Sequence, residues 1–183
     1  AVTGTGDGAS VSARGALRPQ IVPALVGGVI GGVCLTVFYG IMAESLPPEF
    51  ISVGQGVALP WYTKLLYGGI TEEILVRWGV MSFLVWASYR LTQRKDSQVG
   101  AHNFVIGILI AALVFAAGHL PAALAISSQL TAPLVAYILV GNASFGVIAG
   151  YLYWKRGLEC AILAHMVAHL VMNALGALSL FGA

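Results

Sequence analysis

The sequence predicts an all-α protein, a polytopic membrane helix bundle of about five transmembrane helices. Two observations carry this. Of the 183 residues, 58% are hydrophobic and only 9% charged, whereas a soluble domain has about a quarter of its residues charged. In addition, no Asp, Glu, Lys or Arg occurs between Asp96 and Lys155 or after Glu159, which leaves the second half room for three apolar spans of about 20 residues. The net charge of +2 is too small to point to nucleic acid. The basic residues fall in short loops, where they act as topology signals. Cys34 and Cys160 lie in apolar segments without metal or redox spacing and read as packing residues.

Residues 1–20 are rich in Gly, Ser, Ala and Thr and have no periodic apolar face; they read as a flexible N-terminal tail ahead of a single transmembrane domain, 21–183. The first span is expected from Ile21 to about Ala43. It contains Gly27, Gly28, Gly31 and Gly32, two overlapping Gly-x-x-x-Gly pairs on which another helix can approach closely. Pro47 and Pro48 end it, and residues 49–60 read as a connection. From Trp61 to about Leu91 a single helix would measure roughly 46 Å at about 1.5 Å per residue, more than a hydrocarbon core of ~30 Å requires. A break at Gly68-Gly69 is therefore expected, with Thr71 as N-cap and Glu72 and Glu73 in the first turn. A third span covers about His102 to Leu120 and stops at Pro121, and a fourth runs from about Ala132 to Trp154. The fifth, about Leu158 to Leu178, carries His165, His169 and Asn173 at steps of four, hence on one face.

Ionisable side chains at bilayer depth are costly and usually face the protein interior at a functional site. Here the stretch Thr71-Glu72-Glu73-Ile74-Leu75-Val76-Arg77 places two carboxylates and an arginine inside a span. Glu73 and Arg77 are four apart and can pair across a helical turn. Glu72 points about 100° away and stays free. A desolvated carboxylate beside a like charge is suited to take a proton from water. Opposite it, histidines could share that water and steady the oxyanion formed on a scissile carbonyl. Glutamate, water and histidine together describe hydrolysis.

Three ordered motifs carry a resemblance: Glu-Glu-x-x-x-Arg (Glu72, Glu73, Arg77), Phe-x-x-x-His (Phe115, His119) and Ala-Ile-Leu-Ala-His (residues 161–165). Over about residues 61–175 the chain resembles the type II CAAX-prenyl endopeptidase family, which also includes bacteriocin-processing and immunity proteins. The resemblance implies a metal-independent intramembrane glutamate protease without a cofactor, in a bacterial or archaeal cell membrane. Its substrate would be a membrane-embedded or lipidated protein or peptide. By motif position, Glu72 and His119 would activate water, His165 and its partner one turn on would stabilise the oxyanion, and Glu73 and Arg77 would support them. That partner is most often Asn in the family, but His169 stands there in this chain. The His-x-x-x-Asn pattern is met one turn later by His169 and Asn173, so Asn173, with Phe115, is carried as a substrate-binding candidate. A neutral imidazole donates a hydrogen bond as an amide does.

Two other functions fit the same residues. His165, His169, His119 and Glu72 could ligate zinc for a metal-assisted hydrolysis, although no His-Glu-x-x-His stands on any helix. A non-catalytic immunity or scaffold protein would use the Glu-Arg pair only to fix helix register. Arg14, Arg18, Arg90, Arg94, Lys95, Lys155 and Arg156 all fall on one side of the expected spans, so the N-terminus is expected in the cytoplasm and the C-terminus outside. Lys64 reads as a snorkelling or loop residue.

Overall fold

The structure, a computed structural model, describes residues 13–56, 60–93 and 98–178. Among them every regular element is helical. Helix α1 is Ala13–Met42, followed by a 3₁₀ turn Ala43–Ser45, and α2 is Pro48–Gly56. Residues 61–92 form one unbroken helical segment, α3. After it come α4 (Ala101–Ala117), α5 (Leu120–Ile126), α6 (Ala132–Arg156) and α7 (Leu158–Ala177). Four helical stretches are long and apolar enough to cross a membrane, namely Pro19–Ser45, Ala101–Ile126, Ala132–Arg156 and Leu158–Ala177. The protein is an integral membrane helix bundle. The second expected span is α3, which carries Lys64, Glu72, Glu73 and Arg77.

Two boundaries differ from expectation in α1 and α2. Helix α1 starts at Ala13, so the expected tail is helical from there on, and its first twelve residues lie outside the described residues. Residues 48–56, expected as part of a connection, form α2 because Pro48 suits a first helical turn, where no backbone N–H is needed.

The larger correction concerns α3. There is no break at Gly68-Gly69. The helix widens instead into π-type winding over Lys64–Glu72 and Ile74–Met81 before returning to α-helix over Ser82–Thr92. Thr71 is not an N-cap; its hydroxyl donates back to Leu66 O at 3.5 Å, as Ser82 does to Arg77 O at 3.2 Å. With i→i+5 bonding, each turn holds more residues than the 3.6 of an α-helix, so adjacent side chains diverge by less than 100°.

Close helix contacts explain the small residues. A Cβ on Gly28 or Gly32 would lie 2.6 Å from Ala164 O or 2.8 Å from Ala168 O, so α1 meets α7 backbone to backbone. Gly27 and Gly31 turn to α6, where a Cβ would meet Leu152 at 2.8 Å and Phe145 at 2.7 Å. Gly146 and Gly150 of α6 lie against Ala112 and Ile108 of α4, at 2.9 and 3.1 Å on the same measure. Helix α6 is therefore central, touching α1, α4 and α7. It passes into α7 through Gly157 alone, at φ 101°, a left-handed conformation that favours glycine.

Candidate active site

The acidic stretch of α3 faces the bundle interior, and its two glutamates have different surroundings. Glu73 is fully buried and Arg77 is 1% exposed. Glu73 Oε2 lies 3.0 Å from Arg77 Nε, as their spacing of four residues predicts. The pair is close but not well aligned for hydrogen bonding: neither of those atoms has a directed partner, and Arg77 Nη1 has none either. The guanidinium gains a bond from Nη2 to Gly146 O at 3.4 Å and the face of Phe115, 5.0 Å from its centre. We take the contact as electrostatic. A buried pair of this kind fixes helix position more than it adds stability.

The other oxygen of Glu73 has a partner that sequence reasoning did not assign. His165 Nδ1 lies 2.7 Å from Glu73 Oε1. Since an ionised carboxylate only accepts, Nδ1 carries the proton and donates it, which leaves Nε2 as the nitrogen of His165 not engaged with Glu73. His119 is fixed in the same way. Its Nδ1 is 2.8 Å from Phe115 O, one helical turn back. A carbonyl also only accepts, so the neutral His119 ring has its free lone pair on Nε2. The two rings are held apart by Phe115, whose ring meets them edge-on at 4.7 Å for His119 and 6.2 Å for His165.

Among the described residues Glu72 belongs to neither ion pair, and it lines a cavity of about 260 Å³ together with His119, His165, His169 and Phe115. The His165 and His169 rings stack nearly parallel, centres 4.9 Å apart, as residues one turn apart on α7 allow. Gly68 of α3 makes room for them: a Cβ there would be 2.6 Å from His169 Nε2. Six of the eight residues singled out from sequence thus meet around one space: Glu72, His119, His165, His169 and Phe115 on its wall, and Glu73 directly behind His165. Arg77 sits behind Glu73, away from the cavity. Asn173 is not on the wall; its Oδ1 accepts from Lys64 Nζ at 3.4 Å. Among the described residues no three His, Cys, Asp or Glu side chains come together as a metal-ligand set.

Lys64, Tyr67, Tyr137 and Asn142 also line the cavity and were not predicted. Lys64 and Asn142 could have been found, because each is a polar residue inside an apolar stretch. Nothing in the sequence distinguishes the tyrosines from interfacial aromatics.

A helix bundle with an acidic pair, an arginine and histidines gathered around one cavity defines a class of integral membrane protein with an ionisable cluster inside the bundle. Residues 54–172, well over half of the chain, match the family of type II CAAX prenyl endopeptidases described as Rce1-like. The chain belongs to that family and is accordingly a membrane protease of the CAAX type. No curated protein and no solved structure matches it.

Proposed function

We propose that the cavity is the site of an intramembrane endopeptidase in which Glu72 and His119 activate a water molecule. The observation that carries this reading is that Glu72, His119, His165 and His169 share one cavity wall while Glu73 and Arg77 are occupied with each other behind it. The water adds to the scissile carbonyl carbon and gives up a proton to Glu72, assisted by the free Nε2 of His119. The resulting oxyanion is steadied by the imidazoles of α7. Because His165 Nδ1–H is committed to Glu73, donation to the oxyanion from this ring must come from Nε2–H. That requires the imidazolium, whose charge Glu73 offsets. His169, which has no such commitment, can donate as a neutral ring. Collapse of the intermediate breaks the C–N bond, and the proton held by Glu72 passes to the leaving amine, giving a carboxylic acid and an amine, which exchange a proton in water to leave a carboxylate and an ammonium.

The substrate is a membrane-embedded or lipidated protein or peptide. An apolar groove lined by Cys34, Phe38, Val140 and Ile148 shares Leu35, Gly141 and Phe145 with the cavity. A chain segment lying in the bilayer can therefore approach between α1 and α6. With the N-terminus cytoplasmic, the cavity lies toward the outer half of the membrane; labelling of single cysteines at positions 50 and 97 from outside intact cells tests that orientation.

The direct test is cleavage of an S-farnesyl-cysteine peptide by the purified protein in nanodiscs, read by mass spectrometry. Glu72→Gln and His119→Ala are expected to lose about 10²–10⁴-fold in kcat, and EDTA is expected to leave the wild type active. Full activity in both variants would refute the mechanism, and loss with EDTA that zinc restores would replace it by a metal-assisted one.

A further inference from the structure

Asn142 is the one amide side chain of α6, and it lines the cavity. A polar group inside an apolar span is costly and calls for a role. Its Nδ2 donates to Ile138 O at 2.8 Å, one turn back on the same helix. Because a carbonyl oxygen only accepts, this bond fixes which end of the amide is nitrogen and which is oxygen. Oδ1 accepts nothing from the described residues, yet protein does not seal it off. The side chain is therefore held in place and offers an unused acceptor on an accessible wall. Its neighbour Gly141 shows where on the wall it stands. Gly141 borders both the cavity and the apolar groove between α1 and α6, and a Cβ there would touch Leu35 and Phe38 of α1 at 3.5 and 3.7 Å. A segment that comes in from the bilayer passes Gly141, with Asn142 as the adjoining polar group.

We infer that Asn142 Oδ1 accepts a backbone N–H of the substrate where the chain passes from the groove into the cavity, holding it extended beside the scissile bond. The inference rests on the proteolytic reading of the cavity and deepens it. A peptide drawn into the bundle leaves water behind, and a backbone N–H without an acceptor is costly there. In an intact helix those N–H groups are already bonded within the helix, so Oδ1 favours a segment that has unwound. Glu72 and His119 Nε2 are acceptors on the same wall, but they work on the water. The spacing also suits. Asn142 precedes Phe145 by three residues on α6, and the Phe145 ring meets the His165 ring at 4.7 Å between centres. That step along α6 is about 4.5 Å at ~1.5 Å per residue, which one or two extended residues cover at about 3.3–3.6 Å each. The N–H held by Asn142 thus lies about one or two residues from the bond that is cut. Asn142 is a substrate-binding residue in this account and moves no proton.

The test uses a fluorescent S-farnesyl-cysteine peptide in which each backbone N–H in turn is replaced by an ester oxygen, a change that removes the donor without adding bulk. Binding to the Glu72→Gln protein in nanodiscs is followed by anisotropy, in that background alone and with Asn142→Leu or Asn142→Ala. At one position the ester is expected to bind the parent protein about fivefold more weakly than the amide, as for the loss of an ordinary hydrogen bond. That difference should vanish once Asn142 is replaced. Altered packing at residue 142 weakens every peptide alike, so the coupling between one N–H and Asn142 isolates the contact. Equal binding of all esters and the amide by the parent overturns the inference, as does ester sensitivity that persists unchanged in a folded Asn142 variant. Should neither variant fold, the ester series on the parent decides. Cleavage of the all-amide peptide by the wild type, measured in parallel, separates the two claims. Coupling without cleavage upholds the backbone contact and sinks the protease reading. Cleavage without coupling does the reverse.

Discussion

His165 Nδ1 and Glu73 Oε1 lie 2.7 Å apart and tie the acidic helix α3 to the last helix, α7. Through Glu73 this contact extends to Arg77 at 3.0 Å. The second glutamate is therefore engaged by partners on two sides, and the first is the one left facing the cavity.

Removing one member of the buried pair should unfold the protein more readily than removing both. Glu73→Ala leaves Arg77, 1% exposed, as an unmatched charge, and a loss of about 3–5 kcal/mol is expected. The double change Glu73→Ala with Arg77→Met should recover a good part of it. Thermal unfolding in detergent measures both. A double variant no more stable than the single would mean that the pair does not couple α3 internally.

Gly68 is predicted to matter for activity more than for stability. A methyl group there would come within 2.6 Å of His169 Nε2, and the imidazole, as the end of a side chain, can swing away. Gly68→Ala should cost roughly tenfold or more in kcat, about 1.4 kcal/mol of transition-state stabilisation, with the midpoint of thermal unfolding nearly unchanged. Unaltered kcat would place His169 outside the chemistry.

Outside the membrane-spanning helices, Glu49 gives a pH prediction. Its carboxylate accepts from Ser128 at 3.2 Å and Ser127 at 3.5 Å, joining α2 to the loop before α6. Hydrogen bonds from its own backbone and these serines hold its pKa below the ordinary value of 4.5. A folded-state pKa below the unfolded one means the contact stabilises above the unfolded value and is lost as the pH falls through the folded one. The protection factors of amides in residues 48–56, which correct for the intrinsic pH dependence of exchange, should therefore fall below about pH 4.5, and Glu49→Gln should remove that fall. Protection factors that stay constant across that range in the wild type would contradict this.

Much of this was legible in the sequence, for physical reasons that can be named. Four of the expected spans followed from uninterrupted apolar length, and a close helix contact along α1 followed from its Gly-x-x-x-Gly pairs. The Glu73–Arg77 pair followed from a spacing of four. The winding of α3 was not legible. Gly68 and Gly69 are compatible with either a break or a widened helix, and only packing against Met166 and His169 of α7 selects between them. The place of Lys64 on the cavity wall was missed because a lone lysine near a span end is usually a snorkelling residue. The Glu73–His165 contact links residues 92 apart in sequence, and no local pattern announces it.

The central claim is that Glu72 and His119 act on one water molecule as a unit. A double-mutant cycle on kcat for the farnesylated peptide tests it most directly, using Glu72→Gln, His119→Ala and the two combined. Groups that work together are non-additive, so the double variant should be no slower than the worse single one. Full multiplication of the two losses, or a Glu72→Gln protein as fast as the wild type, would contradict the account.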